Sequence, residues 1–89
     1  MLQIERSNQF KKDVKRAVKR GKDPEALKNI IELLASGKPL PVKNRDHKLS
    51  GDYANYRECH IEPDWLLIYF VSSEVLRLER TGTHADLFD

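Results

Sequence analysis

Three histidines, His47, His60 and His84, fall at widely separated points in the second half of the chain, each beside a turn, in a loop or in the C-terminal stretch. None lies within an apolar stripe. With Asp64 and Arg80 they make up the inventory that metal-free cleavage of a ribose phosphodiester requires. That chemistry needs a base to take the 2′-OH proton, a cation to stabilise the charged phosphorane, and an acid to protonate the departing 5′ oxygen. Imidazole suits either proton role, because its unperturbed pKa near ~6.5 lets it hold or release a proton at neutral pH. Arginine stays charged and serves the electrostatic role.

Rival chemistries find less support. Cys59 and His60 are neighbours on an expected strand and so point to opposite faces, and no CxxC or HxxxH spacing supplies a pair of zinc ligands. No metal and no cofactor are expected. Ser50-Gly51 lacks a glycine-flanked nucleophile elbow, no glycine-rich phosphate loop is present, and Cys59 reads as a small core residue. Near the histidines stand Tyr53, Tyr56, Trp65 and Phe88, which could stack on unpaired bases; for Tyr56 and Trp65 core packing competes with that use. Phe88 lies next to the end of the sequence and needs a reason to be ordered there.

The elements that must carry these residues follow from local signals. Leu2 to Arg6 reads as a short strand, with Ser7 as the N-cap of a helix whose apolar stripe is Phe10, Val14, Ala17 and Val18. Gly21 ends it. Asp23 caps a second helix with Pro24 in its first turn, and Leu27, Ile30, Ile31 and Leu34 form its buried stripe up to Gly37. Lys38-Pro39-Leu40-Pro41 opens an irregular stretch that holds His47 and runs to Asp52. Asn55 to Ile61 and Trp65 to Val71 flank Glu62-Pro63-Asp64 as a hairpin, and Ser72-Ser73 leads into a strand from Val75 to Arg80. The expected fold is α+β: one N-terminal strand, two α-helices, and a three-stranded antiparallel meander packed against them. By parity Arg80 joins Leu76 and Leu78 on the core side. Either the strand stops before it, or its guanidinium is partly buried against a carboxylate such as Asp64 or Glu79.

Charge is unevenly spread. Residues 1–50 hold 13 Lys or Arg against 6 Asp or Glu, whereas residues 51–89 hold 3 against 8, so the halves carry +7 and −5. Lys11, Lys12, Lys15, Arg16, Lys19 and Arg20 crowd the first helix around a single Asp13. Such a stripe attracts RNA, DNA or an acidic protein by counterion release, or else is simply a solvated face. At 89 residues one domain spanning 1–89 is expected. With no apolar run of the ~20 residues that cross a bilayer, no signal-like start and one cysteine, a cytoplasmic location is expected.

Three separated motifs carry a resemblance to a known family. Asp46-His47-Lys48-Leu49-Ser50-Gly51, Tyr56-Arg57-Glu58-Cys59-His60-Ile61-Glu62-Pro63-Asp64-Trp65-Leu66-Leu67-Ile68-Tyr69 and Leu78-Glu79-Arg80-Thr81-Gly82-Thr83-His84-Ala85-Asp86-Leu87-Phe88 resemble the YafQ-type toxins of the RelE superfamily. The resemblance implies a RelE-like fold and a metal-independent endoribonuclease that cuts messenger RNA on the ribosome, with a co-encoded antitoxin that wraps the toxin. It further implies that His47, His60, Asp64 and His84 form an acid–base cluster, that Arg80 stabilises the phosphate, and that Trp65 and Phe88 shape the RNA pocket, to which the aromatic reading adds Tyr56. The basic helix would contact ribosomal RNA. Asn44, Tyr53 and Asn55 depart from the family pattern, which bears on codon preference. The competing expectation is a ParE-like binding module on the same scaffold, acting on a protein target without nuclease chemistry.

Overall fold

The computed structural model describes residues 1–88. In chain order the elements are β1 (Gln3–Arg6), α1 (Asn8–Lys19), α2 (Pro24–Ala35), β2 (His47–Lys48), β3 (Arg57–Glu62), β4 (Trp65–Val71), β5 (Val75–Gly82) and α3 (His84–Phe88). Short 3-10 turns at Val42–Asn44 and Gly51–Tyr53 break up the long connection between α2 and β3. The strands form one sheet in the order β1-β5-β4-β3-β2, antiparallel except for the β1–β5 pair.

Both long helices begin where local chemistry places them. The Ser7 hydroxyl accepts the Phe10 N–H at 2.9 Å, and the Asp23 carboxylate accepts the Glu25 N–H at 2.9 Å with Pro24 in the first turn. Each such cap is worth ~1 kcal/mol. Leu27, Ile30 and Leu34 of α2, with Phe10 and Ala17 of α1, then bury against Trp65, Leu67, Tyr69, Leu76 and Leu78 on one face of the sheet. Each large apolar side chain so buried contributes ~1.5–3 kcal/mol. Val18 does not join them. It is 49% exposed, because the stripe of α1 is centred on Phe10, Asp13 and Ala17.

The meander of β3, β4 and β5 forms as expected, and β1 adds to it alongside β5. Two elements go beyond the expectation: the two-residue β2, which brings His47 onto the sheet, and α3, which turns the C-terminal stretch into a single short helix. The opposite face of the sheet carries a second, smaller apolar cluster of Leu66, Ile68 and Leu87, flanked by Leu49, Tyr53 and Tyr56. Leu87 thus fastens α3 onto that face.

A bulge in β5 settles the orientation of Arg80. Tyr69 faces Leu78, but Ile68 faces Arg80, so Glu79 is an extra residue in the ladder. Parity reverses across it. Arg80 therefore takes the face of Ile68, away from Leu76 and Leu78, contrary to simple alternation.

Candidate active site

The register alone assembles most of the site. His47 pairs with Glu58, Glu58 with Ile68, and Ile68 with Arg80, so these side chains form one row across four strands on the face opposite α1 and α2. His60 starts the adjacent row, opposite Leu66. The His47 and His60 rings stand 6.3 Å apart between centroids, and His60 and His84 stand 5.8 Å apart. Three imidazoles from distant stretches thus form one continuous line, with His60 nearly buried in the middle and His47 and His84 open to solvent.

Each imidazole is held through its Nδ1. In His47 it donates to the Arg45 carbonyl at 2.7 Å, in His60 to the Pro63 carbonyl at 3.2 Å, and in His84 it meets the Asp64 carboxylate at 2.7 Å. A carbonyl only accepts, so Nδ1 of His47 and of His60 carries a hydrogen and Nε2 is the nitrogen left to take up or release a proton. The Arg45 carbonyl reaches His47 because Arg45 is left-handed, with φ of 49°. In a residue with a side chain this conformation costs on the order of 1–3 kcal/mol. Asp64 also accepts the His84 backbone N–H at 2.9 Å; that bond first, and the contact with the ring second, hold its carboxyl below the usual carboxylate range.

A residue not among the expected site residues, Glu58, joins the cluster. Glu58 is buried, and its Oε1 lies 3.4 Å from His47 Nε2 and 3.7 Å from His60 Nε2. These are ion-pair distances rather than hydrogen bonds. A buried carboxylate needs a compensating partner, and the imidazole Nε2 atoms on either side are the groups placed to supply one. One signal could have found it: Glu58 and His60 are two apart on one strand and so share a face.

Arg80 is anchored from an unexpected direction. Its partner is neither Asp64 nor Glu79 but Asp13 of α1, reached through Nε at 2.7 Å and Nη2 at 3.3 Å. Asp13, with Tyr53 adding less, holds the guanidinium in its charged form and raises its pKa. The same carboxylate accepts the Thr81 N–H at 3.2 Å, while the Ser7 hydroxyl donates to the Glu79 carbonyl at 2.7 Å. The N-terminal half of α1 so takes over the edge of β5 where β1 stops.

Trp65 is a correction. It is 2% exposed in the core between helices and sheet, its Nε1 donating to Thr81 Oγ1 at 3.0 Å, so it offers no surface on which a base could stack. Tyr56 and Phe88 remain accessible on the imidazole-bearing face: Tyr56 is half-buried and Phe88 is 47% exposed, and each is edge-on to Tyr53. The basic stripe divides. Arg16 and Arg20 pair with Asp13 and Asp86, whereas Lys11, Lys12, Lys15 and Lys19 project into solvent, without a carboxylate partner among the described residues. Beside His60 a hollow of ≈ 390 Å³ is lined by Lys43, Asn44, Arg45 and the turn at Glu62-Pro63, and Asn44 Nδ2 fixes its wall by donating to the His60 carbonyl at 2.7 Å. For a metal, Nε2 of His47 and of His60 with Glu58 would be the nearest donors. Among the described residues no three ligating groups converge closely enough to hold one.

The architecture is that of the RelE-like toxins. Residues 2–89 match the family model described as "Bacterial toxin of type II toxin-antitoxin system, YafQ", and the chain belongs to that family. It is 52% identical over 86 residues to the mRNA interferase toxin YafQ of Escherichia coli K12, covering 96% of this chain and 94% of that one. The crystal structure of the E. coli DinJ-YafQ toxin-antitoxin complex superposes with a TM-score of 0.92 at 50% identity, covering 99% of this chain and 98% of the other. A metal-bound toxin from Helicobacter pylori superposes with a TM-score of 0.93 at 43% identity, covering 99% and 100%.

Proposed function

We propose that this toxin is an endoribonuclease that cleaves messenger RNA on the ribosome by attack of the 2′-OH on the adjacent phosphate, without a metal, and so arrests translation. The observation that carries the reading is the run of three neighbouring imidazoles, each held by Nδ1, with Nε2 of His47 and of His60 flanking the Glu58 carboxylate. His84, the most exposed of the three and backed by Asp64, serves as general acid for the 5′ oxygen. His60, His47 or Asp64 serves as base, with Glu58 holding the charge of the neighbouring imidazoles. Arg80, locked in its charged state by Asp13, offsets the charge of the phosphorane, and Tyr56 and Phe88 hold bases beside the scissile bond. The four exposed lysines of α1 contact ribosomal RNA. A cytoplasmic setting and inhibition by a cognate antitoxin follow from this reading; support comes from the E. coli relative crystallised with DinJ.

Expression of His84→Ala without an antitoxin tests the reading. Loss of growth arrest and of mRNA cuts mapped by primer extension is expected, with the protein still folded. Wild-type cutting by a folded His84→Ala chain would remove His84 from the mechanism. Intact transcripts with DNA damage after wild-type expression would favour a ParE-like binder.

A further inference from the structure

The helix α3 carries His84 and Phe88, yet at five residues it is too short to hold itself together. Leu87 packs it onto the sheet, and its polar anchorage centres on Asp86. The Thr83 N–H donates to Asp86 Oδ2 at 2.9 Å while the Asp86 N–H donates to Thr83 Oγ1 at 3.1 Å, a reciprocal cap that closes the first turn around His84. The same carboxylate receives both terminal nitrogens of Arg20, at 2.6 and 3.2 Å, and lies 3.7 Å from Arg16 Nη2. Below it lies Gly82. A Cβ there would come within 2.9 Å of both Asp86 Cβ and Oδ2, so the close seating of α3 on β5 depends on a bare Cα. On its other side, His84 is tied to Asp64 by backbone and ring together.

We propose that Asp86, gripped by Arg20 and seated over Gly82, is the positioning residue that keeps His84 in line with His60, and that Arg20 serves this clamp rather than RNA contact. The inference rests on the reading of His84 as the acid in RNA cleavage. Arg20 is half exposed, and an exposed ion pair adds little to global stability. The consequence is local: releasing the clamp lets α3 lift while the sheet stays folded. A misplacement of ~1 Å at a reacting group can cost on the order of 100-fold in rate.

The experiment compares cleavage of ribosome-bound message by wild type, His84→Ala, Asp86→Asn, Asp86→Glu, Arg20→Gln and the Asp86→Asn/Arg20→Gln double variant. Two-dimensional NMR of the histidine ring signals accompanies each assay. Asp86→Asn keeps a capping oxygen but loses the charge, and a fall in kcat of about tenfold or more is expected at unchanged or lower KM, with the His84 signals displaced and those of His47 unmoved. Arg20→Gln reproduces that loss, the double variant is no worse than either single change, and Asp86→Glu restores kcat to within about threefold. Plain electrostatics predicts the opposite sign for Asp86→Asn, since removing an acid strengthens RNA binding. Wild-type kcat in Asp86→Asn beside an inactive His84→Ala would overturn the clamp alone, as would an Arg20→Gln defect confined to KM and its salt dependence. An active His84→Ala would overturn the underlying reading instead.

Discussion

Replacing Asp13 with alanine should destabilise this protein more than any other change to a polar side chain of α1, because its carboxylate is buried and serves several donors at once. It accepts from Arg80 Nε at 2.7 Å and Nη2 at 3.3 Å, Arg16 Nη2 at 3.2 Å, Gln9 Nε2 at 3.1 Å and the buried Thr81 N–H at 3.2 Å. Alanine strands the Thr81 N–H, at ~1–3 kcal/mol, and leaves a largely buried guanidinium without its counter-charge. Breaking a buried pair in this way costs ~3–5 kcal/mol in all, against a total stability of ~5–15 kcal/mol for a domain of this size. The corresponding fall in Tm is roughly 15–30 °C. Asp13→Asn keeps the shape and one acceptor and should lose about 2 kcal/mol. Urea denaturation reads the effect as a lower midpoint at unchanged slope. In a double-mutant cycle Asp13→Asn and Arg80→Met should couple by ~1–3 kcal/mol. A loss below about 1 kcal/mol for Asp13→Ala would refute the view that α1 and β5 are joined through this carboxylate.

Three further outcomes follow from the same geometry. Trp65→Phe should lose ~1–3 kcal/mol, through the indole bond to Thr81 and the smaller ring, yet show wild-type activity well below its Tm; loss of activity at full stability would return Trp65 to the RNA site. Burial pushes the Cys59 thiol up to about 12, so the native protein at pH 8 should react with a thiol reagent only at the rate of unfolding, which denaturant titration of the labelling rate would check. Asp64 and Asp86 ionise below the usual carboxylate range in the folded state, through His84 and Arg20 respectively. Their contribution is fully present above that range and is lost as pH falls below it. Amide exchange in α3 should therefore rise on acidification below about pH 4 before the sheet opens.

Much of the scaffold was legible in the sequence because its signals are local. Ser7, Asp23 and Pro24 mark helix starts by chemistry confined to a single turn, and the aromatic and β-branched runs on either side of Pro63-Asp64 declare the hairpin. The three histidines stood out by type and by their places beside turns, and three separated motifs carried the resemblance to YafQ-type toxins; the register brings His47 and His60 together, and α3 sets His84 beside His60. What was not legible is long-range. The bulge at Glu79 depends on how β5 meets β4, so alternation alone put Arg80 on the wrong face. Asp13 stood out as the lone acid in the basic stripe, but its pairing with Arg80 spans most of the chain. Trp65 sits where strand and aromatic signals agree, and only packing shows that it faces the helices. The two-residue β2 is too short to show any alternation, and α3 has too few turns to show a helical period.

On the proposed reading, protons pass among imidazoles while a 2′-OH acts as nucleophile. Mass spectrometry of the ends left on ribosome-bound message cut by purified toxin that has been stripped with a chelator and returned to buffer holding only the Mg²⁺ the ribosomes need tests this most directly. A 2′,3′-cyclic phosphate or 3′-phosphate upstream, with a 5′-hydroxyl downstream, is the predicted result. A 3′-hydroxyl with a 5′-phosphate, or a stripped toxin that is inactive on intact ribosomes until a transition metal is added back, would contradict it.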